Sequence, residues 1–209
     1  MPVNKNLAKR FRLTFFRFFA IITAVMTVKP EMKARISADI ASFRLPRYSE
    51  IPSVGLYLEQ ACKYMGEFLT PLGDYALTPS MVSNYVKRHL IDSPVKKQYS
   101  RDQIAYLIFI AVAKTVLSLE DIQILIEQQK RSYDERTAYE YFCEAFERLL
   151  LFVFGLRDTV EDVGVDNTDE KVLLRNTIIT IAHKIYLKKC LALLCEEKRD
   201  DPKNAKKKL

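Results

Sequence analysis

The sequence predicts an all-α protein, a helical core followed by a long antiparallel helix pair. Three observations lead there. Apolar residues recur at three- and four-residue spacing along most of the chain, and no alternating run reaches strand length. Only five glycines interrupt 209 residues. Capping residues stand directly ahead of helical runs at Thr78, Ser100 and Ser118.

Taken in order, residues 54–69 place Leu58, Ala61, Cys62, Met65, Phe68 and Leu69 on one stripe, a helix facing a core. Pro71, Gly73 and Asp74 break it. Thr78 caps the next helix, with Pro79 at its first position, where the missing N–H costs nothing. That helix is expected to reach about Leu90, before Asp92-Ser93-Pro94 ends it. Ser100 with Gln103 forms a capping box ahead of IAYLIFIAVAKTVL, nearly all apolar and therefore central. Ser118 with Asp121 forms another, and Leu119, Ile122, Leu125 and Ile126 make the following helix's buried face.

Two longer helices follow. Residues 133–154 are expected to bury Ala138, Phe142, Phe146, Leu149 and Val153. After a loop at 157–168, residues 169–197 carry a wide face of Val172, Ile178, Ile179, Ile181, Ala182, Ile185, Tyr186 and Leu193. A lone helix pair cannot cover that face, so it must pack on the preceding module or on a second copy. The implied organisation is an N-terminal extension (1–44), a core domain (45–131), a C-terminal helical region (132–197) and a basic, disordered tail (198–209).

The extension has a different character. Lys5, Lys9, Arg10, Arg12 and Arg17 precede the apolar run FFAIITAVMTV at 18–28. It imitates a secretory signal without a small-residue cleavage site, and it is too short to span a bilayer. A leader upstream of a later start at Met26 or Met32, an interfacial or packed helix, and export all stay open. Membrane contact of residues 10–28 is not the expected outcome.

The net charge of +7 is unevenly spread. Residues 1–47 hold ten Lys/Arg against two Asp/Glu, whereas residues 133–197 hold eight against thirteen. Within 78–101 lie Lys87, Arg88, Lys96, Lys97 and Arg101 against only Asp92. Such a cluster suits an anionic partner or a solvated surface. Cys62, Cys143, Cys190 and Cys195 sit in apolar helical patterns without a CxxC, which reads as buried, reduced thiols in a cytosolic protein.

Catalysis has little to stand on. His89 lies at a helix end and His183 inside an apolar helix, neither with a partner at usable spacing, and no glycine-rich phosphate loop occurs. No catalytic residue, metal or cofactor is expected. The aromatic-rich face of residues 139–154 is where a ligand would lodge, although such Phe and Tyr residues are more often simply core.

The order Tyr85…Leu90-Ile91, Pro94, Tyr99-Ser100, Asp102, an apolar helix, then Ser118-Leu119-Glu120-Asp121-Ile122 resembles the DNA-binding domain of the MerR family of bacterial regulators. More narrowly, LPRYSEIPSVGLYLEQ (45–60) with TPSMVSNYVK and KKQYSRDQIAYL resembles the bacterial family described as domain of unknown function 1836, over residues 44–131. The resemblance implies a MerR-like helix-turn-helix core in which residues 78–90 form a recognition helix. Val82, Tyr85, Val86 and Leu90 then face the core. Ser80, Ser83, Asn84, Lys87 and Arg88 face outward toward base edges and phosphates, joined by Lys96, Lys97 and Arg101 on phosphates. The chain departs from the MerR pattern in carrying Ser83-Asn84 where an Arg-Tyr pair is usual. It also has only VKKQ where a wing of about ten residues is usual, which makes a basic loop but hardly a wing. The implied function is a cytoplasmic regulator of transcription that binds double-stranded DNA, as a homodimer through residues 133–197. The alternative is a helical protein–protein interaction module that binds no DNA.

Overall fold

The computed structural model describes residues 30–159 and 168–200. The readings made above for the segment 1–29 lie outside them, as do those for most of the 157–168 loop and for the tail from residue 201. The chain forms two compact units, Met1–Arg35 and Ile36–Leu209. Of the first, only residues 30–35 are described, as the opening turns of helix α1 (Pro30–Ala41). In the second unit, α1 is followed by β1 (Leu56–Tyr57), α2 (Leu58–Leu69), α3 (Pro79–Lys87), β2 (Gln98–Tyr99), α4 (Arg101–Ala113), α5 (Leu119–Ser132), α6 (Glu135–Val153) and α7 (Asp169–Asp200). The chain is thus mostly helical, as its periodicity requires. Among the described residues, no helix is long and apolar enough to cross a membrane.

Helix α4 is the centre. Ile104, Leu107, Ile108, Ile110, Ala111, Val112 and Ala113 are all fully buried, which covers every side of the helix. Its start is set by the expected box: Gln103 N–H donates to Ser100 Oγ (3.3 Å) and Ser100 N–H to Gln103 Oε1 (2.8 Å). Helices α2, α6 and α7 pack on α4. Each fully buried aliphatic side chain contributes roughly 1.5–3 kcal/mol, so this helix supplies much of the folding energy.

Two element boundaries differ from those expected, one at α2 and one at α7. The helix begins at Leu58 rather than 54, because residues 56–57 pair antiparallel with 98–99 (Leu56 with Tyr99, Tyr57 with Gln98). Gly55 permits that approach, since a Cβ there would lie 2.7 Å from the Gln98 Cβ. Two-residue strands carry no periodic signal. At the other end of the chain, α7 runs to Asp200, so residues 198–200 continue the helix instead of opening the tail. No helix breaker occurs before Pro202.

The C-terminal pair is not antiparallel; α6 and α7 run parallel. Lys171 at the start of α7 lies over the ring of Tyr141 near the start of α6 (5.3 Å), and Phe154 beyond the end of α6 stacks edge-on against Tyr186 (5.2 Å). Fifteen residues (154–168) connect the two. Extended, they reach about 50 Å, more than the roughly 28 Å length of α6, so the chain can return to the start before α7 begins. The first turn of α7 instead seats against the end of α5, where Ser132 Oγ donates to Glu170 Oε1 (2.9 Å) and Tyr133 Oη meets Thr168 Oγ1 (3.2 Å). The apolar face of α7 is therefore covered largely within the chain: Ile178, Ile181, Ala182, Ile185 and Tyr186 are buried. Val172, expected among them, is exposed, and past Tyr186 the exposed residues include Leu187, Leu191, Leu194 and Cys195. The last turns of α7 outrun α6, and so Cys195 is not the buried thiol expected.

A polar strap ties residues 45–48 to α6. Glu147 accepts from Leu45 N–H (2.8 Å) and from both terminal nitrogens of Arg47 (3.0 and 2.6 Å). Tyr48 N–H donates to Glu140 (2.9 Å), and the buried Tyr139 hydroxyl donates to Pro46 O (3.0 Å). Glu147→Ala removes an acceptor serving three donors, and urea denaturation should show a loss of about 2–3 kcal/mol.

His183 offers a pH test. Burial holds its imidazole below the ordinary range, disfavouring the charged form. Above the unfolded value both states are neutral and stability is complete. As pH falls through the unfolded value near 6.5, the unfolded chain gains a proton that the folded chain resists, so stability declines. Between pH 7 and pH 5 the natural chain should lose more stability than His183→Asn.

Candidate nucleic-acid interface

Helix α3 is short and sharply bounded. Thr78 Oγ1 accepts from Met81 N–H (3.3 Å), with Pro79 at the first position. Its end is a left-handed cap. His89 adopts a positive φ of 56°. Leu90 N–H returns to Tyr85 O (2.9 Å) and His89 N–H to Val86 O (3.0 Å), the paired bonds of a Schellman motif. Glycine usually fills that position, and an L residue with a positive φ is strained there. The helix ends at Lys87 instead of reaching Leu90 because this cap reverses the chain.

The split between faces follows the expected periodicity. Val82, Tyr85 and Leu90 are buried and Val86 is half-buried. Ser80, Asn84, Lys87 and Arg88 are exposed, with Ser83 half-buried and Met81 also in the open. The Ser80 hydroxyl is 2.9 Å from that of Thr78, within the cap. Arg88 is ion-paired with Glu120 in the first turn of α5. Both side chains are exposed, so the pair is screened and open to exchange. The carboxyl of Glu120 sits below the usual range, chiefly because backbone N–H groups at its helix start favour the charged form.

VKKQ forms a two-residue hairpin turn. Lys96 and Lys97 both have positive φ, 49° and 66°, and Gln98 N–H donates to Val95 O (2.9 Å). That is the φ pattern of a type I′ turn, which favours Asn-Gly. Val95 bridges Gln98, extending the β1–β2 pairing into a small ribbon with both lysines exposed at its tip. The connection is thus a tight hairpin rather than a plain basic loop. Asn-Gly, the usual signal, is missing from the sequence, so the turn was not legible there.

Arg101 stands apart from the other cations. It is half-buried, its Nε donates to Ile51 O (2.8 Å), and its guanidinium lies 5.2 Å from the centroid of the Tyr48 ring. The Tyr48 hydroxyl donates to Asp102; burial, then that bond, pushes its pKa up to about 12. Arg101 thereby anchors the 47–51 turn. Gln103, expected only as a capping residue, also donates through Nε2 to Asp92 O (2.7 Å) and so holds the loop between α3 and the hairpin.

With this geometry in view, the family model described as domain of unknown function (DUF1836) matches residues 46–144, just under half of the chain. The family resemblance carried by the motifs at 45–60, 78–87 and 96–107 is supported over that segment. The match runs past residue 131 into α6, the part of α6 that holds Pro46 and Tyr48 through Tyr139 and Glu140 and contributes Phe142 to the packing on Phe109. No curated protein and no solved structure matches the chain.

The cap makes a test of its own. His89→Gly removes the left-handed strain and should raise stability by about 0.5–1 kcal/mol, measured as a higher denaturant midpoint at unchanged slope.

Proposed function

We propose that the chain is a DNA-binding regulator of the MerR-like helix-turn-helix type, with α3 as the recognition helix. The observation that carries this reading is the hairpin tip. Two lysines occupy left-handed positions where Asn-Gly would relieve strain, next in sequence to a helix with a polar exposed face. Strain of that kind is kept where the side chains are needed. Lys96 and Lys97 then contact phosphate on one side of the reading helix, with Lys87 and Arg88 at its end. Arg88 exchanges Glu120 for phosphate on binding. Ser80, Ser83 and Asn84 read base edges, Asn84 suiting adenine. Arg101 supports the platform and makes a phosphate contact only if it leaves Ile51 and Tyr48.

Leu187, Leu191 and Leu194 support pairing of two copies. They are 55, 49 and 42% exposed and follow a four- and three-residue spacing along one side of α7. A dimer through this region would present two reading helices to half-sites about one helical turn apart.

The double substitution Lys96→Asn, Lys97→Gly separates folding from binding. Stability should rise by about 1 kcal/mol as the turn relaxes. Affinity for fragments of the region upstream of its own coding sequence should fall, with the slope of log K against log salt shallower by about 1.8. Gel shift across a salt series measures this. Unchanged affinity and slope in the double variant would end the reading, and binding that resists salt would favour an acidic protein partner.

A further inference from the structure

A cavity of about 130 Å³ lies where α4 and α5 meet the first turns of α6 and α7, partly open to solvent. We infer that it is a binding site for a small, uncharged, single-ring aromatic molecule. Size sets the first limit: the cavity is slightly smaller than the closed apolar cavity of about 150 Å³ that holds benzene, and its open side leaves room for the rest of one ring but not for two. The walls set the chemistry. Phe109, Leu125, Ile126, Ala138, Phe142 and Leu174 line it, and the rings of Phe109 and Phe142 meet edge to face at 5.3 Å. A further ring can join that arrangement at the same spacing.

Charge is disfavoured in both signs. The tyrosine faces on the wall already hold ammonium groups: Lys171 lies 5.3 Å from the Tyr133 and Tyr141 centroids, and Lys130 lies 5.2 Å from that of Tyr106. A cationic ligand would have to displace them. An anionic one would give up its hydration for a largely apolar wall on which Glu135 and Glu170 outnumber Lys171, itself already over two rings. Nor is there a polar vacancy to fill. The Tyr106 hydroxyl donates to Gln129 Oε1 (2.9 Å) and Gln129 Nε2 to Tyr133 O (2.6 Å). Among the described residues no buried side-chain nitrogen or oxygen lacks a partner.

The site differs from the one expected on residues 139–154, of which it uses only the first turn. It is independent of DNA binding, so its test needs no DNA. Toluene, benzoate and benzylamine are titrated into the full chain and followed by methyl and amide NMR. Toluene should give saturable shifts at Ala105, Leu125, Ile126 and Ala138, with a Kd on the order of 1 mM. Benzoate and benzylamine should bind at least about tenfold more weakly. Ala138→Phe, shown folded by circular dichroism, should abolish the toluene shifts. If that variant does not fold, Leu125→Ala serves instead, and its enlarged cavity should gain binding of naphthalene. The inference is overturned if toluene gives no saturable shift, if the charged rings bind equally well, if folded Ala138→Phe responds as the natural chain does, or if Leu125→Ala leaves the preference unchanged.

Discussion

Everything in the second unit is arranged around the desolvation of α4. A helix that is apolar on all sides cannot sit at a surface, so three other helices must lie against it. Helices α2, α6 and α7 do so. Their directions follow from polar ties at the edges rather than from the apolar contact, which has no directional preference. Glu147 and Tyr139 tie α6 to the strap at 45–47, and Glu170 and Thr168 tie the start of α7 to the end of α5. That second tie acts with the contact of Lys171 on Tyr141 to hold the starts of α6 and α7 together.

Helix α3 takes only a small part in this core. It buries one narrow stripe, Val82 and Tyr85, and leaves its other sides in the open. Its two ends are nevertheless well defined, one by Thr78 and Pro79, the other by the left-handed His89. The hairpin beyond it is equally defined, closed by a turn whose two residues both adopt positive φ. A short helix with both ends capped and a charged hairpin with a hydrogen-bonded turn have little conformational freedom left to lose, which lowers the ordering cost of any binding there. The strain at these three residues is local and the core compensates for it.

The exposed lysines and the interior cavity answer to different physics. In the function proposed for it, the hairpin tip attracts its partner over long range and in a salt-sensitive way, whereas the ligand site inferred at the cavity selects by shape and by the exclusion of charge. Both adjoin α4, since the hairpin leads directly into that helix and the cavity is walled in part by it.

What the amino-acid order alone determined is the local part. Periodicity placed the helices, and the boxes at Ser100 and Ser118 form as read, because each depends on residues three apart. Periodicity also sorted α3 into its buried and exposed faces. Tertiary structure decided whatever rests on contacts distant along the chain. Strands of two residues show no pattern until Gly55 lets them meet Gln98 and Tyr99. Arg101 looked like any other cation until Ile51 and Tyr48 enclosed it. The antiparallel course that the sequence predicts for α7 is not the one taken: a fifteen-residue connection is long enough for either course, and the first turn of α7 docks on α5.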